Sequence, residues 1–193
     1  MPAKRVILAP DPLPEKRSDK GTLKISTYDP VFHIVLFAPE IPPNTGNIGR
    51  TCVATGSKLW LVEPLGFQVD DTALRRAGMD YWQHLNWEVV PNWETLADRL
   101  KSNRKWYLTK TAKQSYASIE YQKGDAFVFG CESKGLPREL VEANHETAIS
   151  VPMRTDVRSL NLASTAAAVV YEGVRQLTVA GEYSLPIGES PIG

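Results

Sequence analysis

The sequence predicts an α/β protein, a mostly parallel sheet flanked by helices. Two observations carry this. Short, β-rich apolar runs alternate with segments of helical spacing, the pattern of repeated βαβ units. The polar, Gly- and Asn-bearing loops follow strands, where parallel sheets place their ligands. The elements read in order as follows. Val31–Phe37 is an apolar buried strand. A loop rich in Pro, Asn and Gly covers Ala38–Gly46, and a short helix runs from about Asn47 to Thr55. Lys58–Val62 is the second strand. Asp70–Ala77 opens with two acidic residues, which suit a helix start. Trp87–Val90 is a strand, and Trp93–Lys101 a helix with Leu96 and Leu100 on one face. Lys105–Thr109 and Asp125–Phe129 are strands. Pro137–Ala143 is a helix with proline at its first position. Thr147–Val151 is the last strand. In the final helix, Leu160 to Leu177, apolar side chains recur at helical spacing at Leu162, Ala166, Val169, Val170, Val174 and Leu177.

The chain has 193 residues, 21.4 kDa, with 42% hydrophobic and 23% charged residues, enough for one domain with a real core. No apolar run reaches the roughly 18–20 residues of a membrane span, so no membrane partner is expected. Lys+Arg and Asp+Glu are each 22, a neutral balance that argues against coating nucleic acid by charge alone. Cys52 and Cys131 match no zinc spacing, and His33, His84 and His145 do not cluster, so no metal is expected. Sparse cysteine points to a reducing, cytoplasmic setting. Residues 1–30 hold five of the fourteen prolines, six basic and four acidic residues. They read as a flexible arm, either a solvated tail or a basic arm against an anionic partner. Residues 31–180 form the predicted domain and 181–193 a tail.

Three loops carry the chemistry. The first is Pro42-Pro43-Asn44-Thr45-Gly46-Asn47-Ile48-Gly49-Arg50. Its Asn and Gly residues at a helix start suit an anion site or merely a turn and cap. It is neither a P-loop nor GxGxxG. Gly46-Asn47-Ile48-Gly49 fits the short GxxG of KH modules. The second loop is Phe129-Gly130-Cys131-Glu132-Ser133-Lys134-Gly135-Leu136-Pro137. Gly130 lets a ligand approach the backbone, and Gly135 is expected at positive φ. Glu132 reads as a site residue at the sheet's mouth or as a capping partner, and Cys131 as a small buried residue. The third is Val151-Pro152-Met153-Arg154-Thr155-Asp156-Val157-Arg158-Ser159-Leu160-Asn161-Leu162, in which Ser159 or Asn161 suits the N-cap of the last helix. No G-x-S-x-G accompanies Ser159.

Together, and in this order, the three loops resemble the motifs of the SPOUT superfamily of RNA methyltransferases. Within it the chain is most similar to the small TrmL (YibK-like) tRNA 2′-O-methyltransferases. Glu63-Pro64-Leu65-Gly66-Phe67 and Leu74-Arg75-Arg76-Ala77-Gly78-Met79-Asp80-Tyr81 add to the likeness, which covers about residues 31–180. The resemblance implies a C-terminal segment threaded into a deep trefoil knot, which general topology rules would not suggest. It implies S-adenosylmethionine as cofactor, with Leu108, Gly130, Val151 and Ser159 as contacts, largely through backbone. It implies Arg50 beside the reacting hydroxyl, with Asn44, Glu132, Ser159 and Asn161 orienting the arginine, the ribose or the cofactor. A homodimer follows from the family, with Tyr171 at its interface. The implied substrate is the wobble nucleotide, cytidine or modified uridine at position 34, of leucine tRNAs. Another tRNA position or rRNA is the alternative within the family, and a non-catalytic RNA-binding module the alternative outside it.

The arm is +2 and residues 31–193, with sixteen basic and eighteen acidic residues, are −2. RNA binding by so neutral a body requires a local basic mouth. Arg75, Arg76, Lys134, Arg138, Arg154 and Arg158 are its expected members.

Overall fold

The computed structural model describes residues 29–68 and 82–187. Among these residues, seven strands make one sheet in the order β3-β2-β1-β6-β4-β7-β5, and each of their pairings is parallel. The strands are β1 His33–Phe37, β2 Lys58–Val62, β3 Trp87–Val90, β4 Lys105–Leu108, β5 Gln114–Ser115, β6 Ala126–Phe129 and β7 Ala148–Ser150. The helices are α1 Pro42–Thr55, α2 Trp93–Arg99, α3 Arg138–Ala143 and α4 Leu162–Ala180. The helix expected over Asp70–Ala77 lies outside the described residues.

Alternation along the central strands divides the core in two. Ile34, Leu36, Phe127 and Phe129 face α1 and α4, packing with Ile48, Cys52, Val169, Val170 and Leu177. Val35, Val128, Ala126 and Tyr107 face the other way, toward Leu96 of α2 and Leu100 at its C-terminus. Gly173 lets α4 close on the sheet, since a Cβ there would stand 2.6 Å from the Phe32 ring. Among the described residues no helix is long and apolar enough to cross a membrane, and no His/Cys/Asp/Glu group could hold a metal.

Three expectations need correction. The first helix starts at Pro42 rather than near Asn47, so most of the first motif is helical. Pro42 and Pro43 lack the N–H groups that a first turn leaves orphaned, so they open the helix instead of delaying it. Pro137 is the residue before α3, not its first helical residue. Cys131 is half-buried rather than buried. β5 was not expected, because two polar residues on the sheet edge carry no apolar period.

Candidate active site

The strand order reverses direction at β1. The chain builds β2 and β3 on one side of it, while β6 and the rest lie on the other. A crevice at the carboxyl ends of the strands is expected at such a switch point. The three motif segments converge there.

α1 begins without help from its own sequence. Its N-cap is Ile41, which has no side-chain bond to offer, and its first turn holds no acidic residue. Glu132, from the loop after β6, takes over the task. One carboxylate oxygen accepts from the Glu40 N–H at 2.8 Å. The other accepts from the Ile41 N–H at 3.3 Å and from Asn44 Nδ2 at 3.0 Å. A negative group at a helix N-terminus also meets the positive end of the macrodipole. Both oxygens of Glu132 are thus engaged by donors, which makes it an anchor for α1.

Asn44 is buried and passes the link onward. Its Oδ1 accepts from Asn161 Nδ2 at 3.0 Å. Asn161 is the N-cap of α4, its Oδ1 accepting from the N–H groups of Ala163 and Ser164 at 2.9 and 3.2 Å. One chain, Glu132–Asn44–Asn161, therefore ties the loop after β6 to the N-termini of α1 and α4. The residues are 88 and 117 positions apart in sequence. Of the two cap readings for the third loop, Asn161 is the one found.

Leu108, Gly130 and Val151 end or follow β4, β6 and β7, which are adjacent strands, with Leu108 in register with both Phe129 and Ile149. A depression of about 310 Å³ opens beside Val151, lined among others by Lys110, Ser150, Met153, Arg154 and Arg158. Residues 154–161 are exposed. Their one backbone–backbone bond inside the loop, among the described residues, runs from the Val157 N–H to the Arg154 carbonyl. Apolar strand ends beside a loop of available peptide groups suit a nucleoside held by backbone contacts, and no phosphate cradle is needed. Ser159 belongs to this loop. At Gly130 the chain itself makes a close approach, since a Cβ there would run into the backbone of Gly135 and Leu136. The Gly135 turn that makes this approach has φ +75°, as expected.

Arg50 stands on the exposed side of α1, whereas Asn44 is buried. They stand six positions apart on the helix, about 9 Å along the axis. The structure does not gather Arg50 into the Glu132–Asn44–Asn161 chain. Lys134, Arg138, Arg154 and Arg158 are all exposed. Arg138 pairs with Glu142 at 2.6 Å and Arg154 with Asp156 at 2.9 Å, so both are partly neutralised. Arg75 and Arg76 lie outside the described residues. Tyr171, on α4, is 47% exposed. Sequence reasoning missed Glu40 and Lys110. Lys110 follows a strand on the same edge as the motif loops, which was a usable signal. Glu40 precedes the first motif with no spacing that marks it.

A parallel sheet with its switch point closed by polar loops defines an α/β protein of the class whose ligand crevice lies at the strands' carboxyl ends. The chain belongs to the SpoU rRNA Methylase family, whose model matches residues 31–171. Among its relatives, the tRNA (cytidine(34)-2′-O)-methyltransferase of Methylovorus glucosotrophus (strain SIP3-4) is 46% identical over 152 residues, 78% of this chain and 99% of that one. The protein of the same name from Burkholderia cenocepacia (strain HI2424) is 45% identical over 149 residues, 76% of this chain and 96% of that one. A solved structure that gives insights into 2-OH methylation of C/U34 on tRNA superposes with TM-score 0.73 at 38% identity, over 77% of this chain and 97% of that chain. The SpoU methyltransferase AviRb of Streptomyces viridochromogenes, solved with AdoMet, shares the fold, with TM-score 0.70 at 21% identity over 80% of this chain and 60% of that one.

Proposed function

We propose that this chain methylates the ribose 2′-hydroxyl of the wobble nucleotide, cytidine or modified uridine 34, in leucine tRNAs, using S-adenosylmethionine. The observation that carries the reading is the Glu132–Asn44–Asn161 chain. It joins three distant motif segments at the switch point, where a ligand would lie. The relatives of that activity add weight. The catalytic domain is residues 31–180, with 1–30 as an arm and 181–193 as a tail. Its C-terminal part is a trefoil knot, and the protein works in the cytoplasm as a homodimer with Tyr171 at the interface.

The cofactor supplies an electrophilic methyl group when bound. Leu108, Gly130, Val151 and Ser159 hold its nucleoside by backbone groups, and the apolar strand ends exclude water from one side. Much of the rate comes from placing the ribose oxygen in line with the methyl carbon. Asn44, Glu132 and Asn161 fix the helix ends that frame this placement. An O–CH₃ bond would form as the C–S bond breaks to leave a thioether, with the hydroxyl proton passing to solvent; Arg50, a group that stays protonated, would stabilise the developing oxyanion. Its position on the outer face of α1 suits delivery to the site of a second protomer. Lys134, Arg138, Arg154 and Arg158, with Arg75 and Arg76, hold tRNA phosphates.

Methylation of purified tRNA and rRNA with labelled cofactor, followed by nucleoside mapping, tests the reading. Label is expected at nucleotide 34 of leucine tRNA. Label only in rRNA overturns the substrate assignment. No heat on titration with S-adenosylmethionine at millimolar concentration favours the non-catalytic RNA-binding alternative.

A further inference from the structure

The site rests on a second carboxylate. Glu40, in the loop between β1 and α1, returns the bond that its own backbone gives to Glu132. Its Oε2 accepts from the Ser133 N–H at 2.9 Å and its Oε1 from the Ser133 hydroxyl at 2.7 Å. Glu132 in turn accepts from the Glu40 N–H at 2.8 Å. Two adjacent residues of the second motif are therefore bound to one residue of the loop after β1, by three bonds in opposite directions.

The backbone of Glu40 is also held from behind. The Gly66 N–H donates to the Pro39 carbonyl at 2.9 Å. A Cβ on Gly66 would stand 2.8 Å from Glu40 Cα and 3.1 Å from its carbonyl oxygen, so that turn and Glu40 are in direct backbone contact. The Glu40 carboxyl sits below its ordinary range, first because of the Ser133 hydroxyl and then its N–H, with Lys134 adding a smaller effect. An exposed carboxylate that only solvated the surface would not need two donors from one residue.

We propose that Glu40 is a positioning residue for methyl transfer: it clamps Ser133 so that Glu132 stays aimed at Asn44 and the N-terminus of α1. It touches neither cofactor nor ribose and acts through Glu132 and Gly130–Gly135. The proposal rests on the methyltransferase reading above. Glu40→Ala is the sharpest variant, because it removes both acceptors, whereas a glutamine amide would still accept from the Ser133 N–H and donate to its hydroxyl oxygen.

Two measurements test this on the full-length protein. In amide hydrogen exchange of the ligand-free protein, Glu40→Ala is expected to lower protection of Ser133 and Gly135 at least 10-fold, while β1 and β6 keep theirs. In steady-state methylation of tRNA, kcat falls about 10-fold with KM for tRNA within 2-fold of wild type. Ser133→Ala lowers kcat less, and its effect is not additive with Glu40→Ala, because both act through one contact. Unchanged kcat in Glu40→Ala with an active wild type overturns the positioning role alone. So does a fully additive double variant. A wild type that transfers no methyl group overturns the functional reading and the role with it.

Discussion

The two ends of the sheet both carry polar networks, and they are built on opposite plans. At the amino end, two acidic side chains, Asp125 and Glu88, are held by several neighbours each. Asp125, 2% exposed, accepts from Arg104 Nε at 2.8 Å and Nη2 at 2.6 Å, from Trp106 Nε1 at 2.9 Å and from the Gln122 N–H at 3.0 Å. Nearby, Glu88 pairs with both Lys58 and Arg99, Lys58 Nζ lies 3.8 Å over the Trp60 ring, and Trp60 donates to His33 Nδ1 at 3.0 Å. At the carboxyl end, the bonds span 88 to 117 residues and secure backbone and helix ends, while the cations beside them face solvent. The first plan saturates polar groups for stability. The second fixes a frame and leaves charge available to a ligand.

The largest expected effect tests the first plan. Asp125→Ala leaves the Trp106 indole N–H and the Gln122 N–H without an acceptor and breaks the pairing with Arg104. The loss is about 3–4 kcal/mol, short of the upper end for a buried pair because the Arg104 side chain is still 40% exposed. Urea unfolding measures it. Methyl transfer per folded molecule is expected to hold, and a selective loss of kcat would erase the division between the two ends.

His33 gives the amino end a pH signature. Burial, and then the positive charge of Lys58, lower its pKa to about 4, against a smaller opposing effect of Asp29. The folded state thus prefers the neutral ring. As pH falls, the unfolded chain takes up the proton first, near 6.5. Stability is full above that value, is lost as pH falls through about 4, and levels off below. The loss amounts to about 3 kcal/mol. Unfolding measured at pH 7 and pH 4 should differ by that amount in wild type and by much less in His33→Gln, which keeps an acceptor for Trp60.

At the other end, Arg50→Ala is expected to cut kcat about 10²-fold, the size of one lost oxyanion stabiliser. Tm should stay within a degree or two, since Arg50 is exposed. Cofactor titration on the same variant should be unchanged. Activity near wild type would remove Arg50 from the reaction.

Asn161→Ala joins the two kinds of effect. It removes the cap of α4, worth about 1 kcal/mol, and the donor to Asn44. Asn161→Asp keeps the capping oxygen but loses that donor. The aspartate is therefore expected to recover stability and not kcat, separating cap from frame by calorimetry and turnover.

The contrast also explains what the sequence disclosed. The carboxyl-end segments were legible because each is a compact run after a strand: Asn44 to Arg50, Gly130 to Pro137, Val151 to Asn161. Their bonding was not. Glu132 read equally well as a site residue or a cap, and the helix it serves, α1, starts 90 residues earlier at Pro42. No local rule links the two. Apart from β5, the strands were legible to within a residue or two, since burial on both faces writes continuous apolar runs such as that of β1. The amino-end network was invisible, because His33, Trp60, Asp125 and Arg104 come together only through strand order.

The smallest effect concerns the exposed cations of the carboxyl end. Arg158 and Lys110 line one depression beside Val151, in the loops after β7 and β4. If this is where RNA phosphates sit, Arg158→Ala weakens tRNA binding alike for all sequences and reduces the slope of log K against log salt by about one. Lys101 supplies the control. It is equally solvated, with a side chain 78% exposed, but stands at the amino end beside Asp98. Lys101→Ala should leave the slope as it is. The protein's charge is balanced overall, so a general attraction for RNA would lower both slopes together. A change confined to Arg158 means that position, not net charge, makes the carboxyl end the binding face. Equal slopes in both variants and in wild type would move the phosphate contacts away from this depression.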